Sequence, residues 1–228
     1  TPVPEDPSPE PFPYVILLSV SPLIAFITSA AFAASPDPAV PIVIWLAPAL
    51  EGEPPEDISN LIVLDNKCED AINIINSKFK LKNSQISNTL SDGIDSDFSN
   101  GFISNTIFQN IGGDAIDTSG SKVSIFDTEI YNSEDKALSA GEKSEIYIEN
   151  LKIDSSKFGL VSKDLSTVKG EKISVTNSID FDILAFEKKM HYGPGFINIR
   201  NVQSDDKIQS QTNSVVFVND KEINNEDF

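Results

Sequence analysis

The sequence predicts an all-β fold, a right-handed parallel β-helix, and three observations carry that reading. The first is a repeat of about 22 residues running from 70 to 204. Residues 92–113 (DGIDSDFSNGFISNTIFQNIGG), 114–135 (DAIDTSGSKVSIFDTEIYNSED) and 136–157 (KALSAGEKSEIYIENLKIDSSK) align without gaps. Residues 70–91 fit the same frame, and 158–180 and 181–204 continue it with one or two extra residues. The second observation is that apolar positions keep register: Ile72, Ile94, Ile116, Leu138, Leu160 and Ile183 form one column, and Leu64, Ile86, Phe108, Ile130 and Ile153 another. The third is the period inside each unit. Runs such as Val123-Ser124-Ile125 and Ile146-Tyr147-Ile148 alternate as half-buried strands do, which disfavours a helical repeat.

Each unit buries its apolar side chains only against copies of itself, as solenoid repeats do. Stacked coils hydrogen-bond in parallel at about 4.8 Å, so like residues fall into ladders. Asn66, Asn88, Asn110 and Asn132 recur beside the second apolar column, where the chain must turn. Three short strands fit in each coil.

Composition bounds the function. Asp and Glu number 35 against 17 Lys and Arg, a net charge of −18, and Arg200 is the only arginine, which argues against nucleic acid as a partner. An acidic polysaccharide would be repelled unless cations intervene. Cys68 is the only cysteine and His191, in the turn sequence M-H-Y-G-P-G, the only histidine. Neither a disulfide framework nor a Cys- or His-based zinc site can be built. No Ser-His-Asp set, phosphate-cradling loop or dinucleotide fingerprint is present.

Two segments are expected, 1–56 and a solenoid with a C-terminal strand or tail over 57–228. The first holds thirteen of the fourteen prolines and no Lys, Arg, Asn or Gln. Residues 14–34 are uncharged and long enough to span a bilayer if helical, so membrane anchoring is one expectation for them. Against it, Pro22 interrupts the run and no basic residue precedes Lys67. Ser21-Pro22 is a good helix start, which predicts a helix over 22–34 between strands at 14–20 and 41–46. An open β-helix end exposes strand edges and core, so residues 14–50 laid over the first coil as a cap are the alternative expectation. A segment foreign to the solenoid is a third.

Register places Asp70, Asp92, Asp114 and Lys136 in one column and Asp95, Asp117 and Ser139 in the next. Ionised carboxylates about 5 Å apart repel, so a proton, a cation or a lysine must intervene. One reading makes Asp95 and Asp117 an acid/base pair on a sugar, at a separation close to that of retaining glycosidases, with Lys136 completing the catalytic set. The other makes them turn residues whose carboxylates accept backbone N–H groups, which the D-G-I-D and D-A-I-D spacing also allows and which solenoid turns select for. Calcium held by Asp92, Asp95, Asp114 and Asp117 is a third expectation, although the Gly- and Asp-rich nonapeptide of calcium-binding β-rolls is missing. No other cofactor is expected. A second group, Glu142, Lys143, Ser144, Lys163, Asp164, Ser166, Lys188 and Lys189, comes from GEKS, SKDLS and FEKKMHYG in successive coils. There Lys143, Lys163 and Lys188 would fall near one another, as a glycan-carboxylate contact or base, or within an ion-pair ladder with Glu142, Asp164 and Glu187. With Asp92, Asp97, Asp114 and Ser139 these complete the candidate substrate-binding residues. The aromatic residues are mostly Phe at core-like positions, which leaves no obvious sugar-gripping aromatic.

Over 92–200, the motifs D-G-I-D-S-D-F-S, G-G-D-A-I-D-T-S-G-S, D-K-A-L-S-A-G-E-K-S, S-K-D-L-S and E-K-K-M-H-Y-G-P resemble bacterial parallel β-helix domains of the pectin-lyase-like class. Such domains occur in secreted proteins that also carry spore-coat-kinase-like or lamin-tail-like modules. The resemblance implies an exported, envelope-associated solenoid, with Asp92, Asp95, Asp97, Asp114, Asp117, Ser119, Lys136, Ser139, Glu142, Ser144, Lys163, Asp164, Lys188 and Lys189 as a shared surface. The chain departs from the enzymes of that class. Pectate lyases rely on arginine as well as calcium-binding acids, and galacturonases on N-T-D, D-D, G-H-G and R-I-K motifs, a set that is not found here. The expectation is therefore a structural or glycan-binding solenoid of the bacterial cell envelope or exterior, with polysaccharide or envelope components as partners. The alternative is a carbohydrate-active enzyme, a hydrolase, lyase or epimerase, working along the acidic face.

Overall fold

The computed structural model describes residues 55–211 and 213–223. The expected helix over 22–34, its flanking strands, the cap and the membrane anchor lie outside the described residues.

Seventeen strands follow one another without an intervening helix among the described residues. The early coils are built of separate strands: β1 (Glu56–Ser59), β2 (Ile62–Leu64), β3 (Asp70–Ile75), β4 (Lys78–Lys82), β5 (Gln85–Thr89), β6 (Asp92–Asp97), β7 (Asn100–Ser104), β8 (Ile107–Ile111) and β9 (Ile116–Ser119). Then β10 (Lys122–Gly141) and β11 (Glu145–Lys163) each run round a whole coil. They are followed by β12 (Thr167–Thr176), β13 (Phe181–Phe186), β14 (Phe196–Ser204), β15 (Ile208–Ser210), β16 (Val215–Val218) and β17 (Lys221–Glu222). Every pairing is parallel except the terminal β16–β17 hairpin. The result is a right-handed parallel β-helix of about 7 turns with about 22 residues per coil.

The solenoid has three faces. Face A carries β1, β4, β7, the starts of β10, β11, β12 and β14, and β16. Face B carries β2, β5, β8 and the middles of β10 and β11. Face C carries β3, β6, β9, the ends of β10 and β11, β13 and β15.

The first apolar column stacks as expected on face C, from Ile72 through Ile94, Ile116, Leu138 and Leu160 to Ile183, and Ile208 extends it. The second column needs one correction. Val63, not Leu64, pairs with Ile86, and Leu64 is 55 % exposed. The step from Val63 to Ile86 is 23 residues rather than 22, and a slip of one residue moves a side chain to the opposite face of a strand. Phe108, Ile130 and Ile153 continue that column fully buried.

The same extra residue moves the first rung of the asparagine ladder. Asn132 donates to Asn110, Asn110 to Asn88, and Asn88 to Asp65 rather than to Asn66. Asp65, Asn88, Asn110 and Asn132 all have φ between 54° and 56°, a left-handed conformation that Asn and Asp tolerate better than other side-chain-bearing residues. A parallel series, Asn60, Asn83, Asn105, Asp127 and Asn150, turns the chain from face A to face B, with Asn105 donating to Asn83 and Asn150 to Asp127. The 22-residue spacing of Asn therefore records where each coil bends.

Because Ile116 is fully buried between Ile94 and Leu138, Ile116→Ala leaves a cavity that stacked coils cannot readily close, and should cost roughly 2–5 kcal/mol. The half-exposed Asp97→Asn should cost far less. Urea unfolding of the two variants checks the ranking, and the reverse order would refute the core assignment.

Candidate functional site

On face C, strand alternation turns Ile94 and Ser96 inward and Asp95 and Asp97 outward. Asp95 stands directly beside Asp117, and Asp117 beside Ser139, as the sequence predicts. Asp70 is likewise in register with Asp92. The two columns differ in what their carboxylates do. Asp92 accepts the backbone N–H of Asp114 at 2.8 Å, and Asp114 accepts that of Lys136 at 2.9 Å, so these side chains tie one coil to the next. Asp164 does the same for a longer loop, taking the N–H groups of Lys188 and Lys189 at 2.9 and 2.6 Å. The backbone-capping role foreseen for turn carboxylates is thus present at Asp92, Asp114 and Asp164. Asp117 accepts the N–H of Thr118, whereas Asp95 accepts no hydrogen bond from the described residues.

The lysines are distributed differently from expectation. Lys136 does not join Asp95 and Asp117; its ammonium pairs with Asp114 at 3.1 Å and with Asp135. Lys163 takes that place. Its side chain lies over Gly141, where a Cβ would meet Lys163 Cε at 3.0 Å, and it donates to Ser139 Oγ at 2.6 Å while standing 3.8 Å from Asp117 Oδ1. Only 5 % of Lys163 is exposed. Of the expected column of Lys143, Lys163 and Lys188, Lys143 lines the face A groove and Lys188 gives its backbone N–H to Asp164. Glu142 pairs with Lys189 across two coils and accepts a hydrogen bond from Ser119 at 2.5 Å. Burial alone would raise the Glu142 carboxyl, but Lys189, Ser119 and the Lys163 charge together hold it below the usual range.

Electrostatics separate the acids. Burial, then the charges of Asp97, Asp117, Asp70 and Asp92, push Asp95 up to about 8. Burial also raises Asp92, to about 6, although the N–H of Asp114 partly offsets it. Among the described residues, Asp92, Asp95, Asp114 and Asp117 included, no group of three or more His, Cys, Asp or Glu is placed to hold a metal ion. Lys136 beside Asp114 and Lys163 near Asp117 place positive charge among these acids.

Face A carries a feature that sequence reasoning missed. Phe102 and Phe126 stack at 5.2 Å, and Phe126 meets Tyr147 at 5.9 Å, forming a diagonal strip on the outer surface of three successive coils. These rings point outward because Ile103, Ile125, Ile146 and Ile148 beside them point inward. The core holds Phe79 and Phe108 instead. Beside the strip runs an open groove of about 640 Å³ lined by Lys122, Ser124, Lys143, Tyr147, Leu165 and Lys169, among others. Its wall is shaped by two turns, Gly141–Ser144 and Lys163–Ser166, each closed by a backbone hydrogen bond of 3.1 Å and each holding two successive non-glycine residues at positive φ. Such conformations cost of order 1–3 kcal/mol each, and they swing Lys143 and Leu165 to the groove while Glu142 and Asp164 serve face C and its loop. Outward parity within the strands starting at Asn100, Lys122 and Glu145 was the available signal.

A family model described as a right handed beta helix region matches residues 55–191, more than half of the chain. No curated protein and no solved structure matches the chain.

The raised Asp95 fixes a pH dependence. An unfolded aspartate titrates at about 3.9, and the folded one at about 8. Between those values the folded state binds the extra proton, so stability should fall as pH rises from about 4 to about 8 and flatten above that. The general repulsion of a chain at −18 has the same sign, so the diagnostic is Asp95→Asn, which should flatten the slope between pH 5 and 8 in urea titrations. An unchanged slope would show that Asp95 is ionised.

Proposed function

Since the chain belongs to the right-handed β-helix family, we propose that this solenoid is a non-catalytic glycan-binding domain acting at the cell exterior or envelope, with polysaccharide as its partner. The observation that carries this reading is the Phe102–Phe126–Tyr147 strip beside the face A groove. Aromatic faces pack against the C–H surfaces of sugar rings, and Tyr adds a polar edge that can stay in water. Tyr147 is 44 % exposed, and Ser124, Thr167 and the lysines offer hydrogen bonds along the same groove. A rigid sheet also presents the strip without an ordering cost on binding. Most face C carboxylates are spent on backbone N–H groups, which supports binding over catalysis.

A second reading, a polysaccharide hydrolase on face C, is favoured by one specific observation. Asp95, pushed up to about 8 by burial and neighbouring acids, stands in register beside Asp117, which has Lys163 3.8 Å away, and a raised carboxyl next to a second carboxylate is the arrangement an acid/base pair uses.

Calorimetric titration against a panel of neutral and acidic polysaccharides separates the two. Tyr147→Ala should weaken binding about tenfold or more, equivalent to about 1.4 kcal/mol. Absence of binding to any member, or equal binding by Tyr147→Ala, would refute the face A reading. Release of reducing ends by the wild type, lost in Asp117→Asn, would establish the hydrolase instead.

A further inference from the structure

The asparagine ladder between faces B and C has a missing rung. Asn132 pairs in register with Ser155, because Tyr131 stands beside Asp154 and Ser133 beside Ser156. Ser155 has the left-handed conformation of the ladder residues, φ 65°, but no carboxamide. Two consequences follow on either side. Asn132 donates downward to Asn110 at 3.0 Å, yet its own Oδ1 receives no donor from the described residues. Asn177, one coil above Ser155, turns aside and donates to Asp154 at 2.8 Å, leaving its second amide hydrogen unused. A cavity of about 310 Å³ opens at this point, lined by Asn110, Asn132, Ser133, Ser155, Ser156 and Asn177 among others. Ser156 is only 3 % exposed, and its hydroxyl has no hydrogen-bond partner among the described residues.

We propose that this gap is a binding site for the N-acetyl group of an amino sugar, whose amide supplies the missing rung. The ladder specifies the chemistry of its guest. What is absent between Asn132 and Asn177 is one planar amide, with an N–H to give to Asn132 Oδ1 and a carbonyl to accept from Asn177 Nδ2. A secondary acetamide carries both groups, whereas a sugar hydroxyl supplies one atom at a single distance. The cavity lies at the lower end of ligand pockets, about 300 Å³, and suits one monosaccharide rather than a long chain. A neutral group also suits the surroundings, where Glu134 and Asp154 would repel an anion. Asn132 and Asn177 are exposed, so a bound amide takes the place of water on them, and the match of one planar amide to both supplies the preference. The site is remote in register from the face A groove and does not depend on it.

The test uses the full chain, with a tetramer of N-acetylglucosamine, the matching glucose tetramer and a blocked glutamine amide as probes in calorimetry. The N-acetylated tetramer should bind at least tenfold more tightly than the glucose tetramer. Ser155→Asn should complete the ladder, raising Tm by about 2–4 °C for one added hydrogen bond, and should abolish that binding. Asn132→Ala, which removes the acceptor without filling the gap, should weaken it about tenfold, so the proposal stays testable even where Ser155→Asn folds poorly. Equal binding of the two tetramers, binding unaffected by both variants, or preference for the glutamine amide would each overturn it. The last outcome would assign the gap to a peptide side chain.

Discussion

Each coil must come back to its starting register one strand spacing higher, and every other property of the molecule depends on that closure. Three bends per coil are needed, and each asks at least one residue to adopt a left-handed backbone. Asparagine at 83, 88, 105, 110 and 132 meets that demand at little cost, and Asn88, Asn105, Asn110 and Asn132 then donate their side-chain amides to the residue below. Bend and ladder reinforce one another. With the bends fixed, strand alternation decides without further freedom which side chains enter the core and which face solvent.

Closure is strict at the two bends flanking face B and permissive at the bend from face C to face A. There the chain passes from single left-handed residues, Asn76 and Phe98, to the paired Glu142-Lys143 and Asp164-Leu165 and finally to the loop 187–195. Added length at this corner leaves the stacked strands undisturbed, as insertions in surface connections generally do. It also gives the corner two outlooks. Glu142 and Asp164 reach the loop, through Lys189 and the N–H groups of Lys188 and Lys189, while Lys143 and Leu165 line the groove on face A.

Periodicity revealed the architecture because a solenoid writes its register into the chain as a fixed interval. Ile72 to Ile183 and the Asp95–Asp117–Ser139 column could be placed from that interval alone. It failed where a coil has 23 residues, which exchanged Leu64 for Val63 and Asn66 for Asp65. It also could not foresee how far a flexible side chain reaches. Lys136 stays with the coil below and its neighbour Asp135, whereas Lys163 lies down over Gly141 toward Asp117, where a Cβ would crowd it at 3.0 Å. The aromatic strip was hidden for another reason: hydrophobic residues were assigned inward by type, although Phe102 and Phe126 sit at outward parity.

Asking which polar groups the fold itself consumes separates structure from function on the acidic face. Asp65 and Asp127 end amide ladders, Asp92, Asp114 and Asp182 take backbone N–H groups from the next coil, and Asp164 anchors a loop. One oxygen of each of these carboxylates is accounted for by coil stacking, while Asp164 Oδ2 and Asp182 Oδ1 have no partner among the described residues. Asp95 is not: it lies half-buried among four other acids, accepts no hydrogen bond from the described residues, and is pushed up to about 8 by burial and by their charges. Ser156 and Asn132 stand in the same position at the ladder gap, with polar atoms that no neighbour completes. A stacked coil can satisfy nearly all its own polar groups by repeating them, so the few left over mark where the repeat was broken and where a molecule from outside gains most by binding.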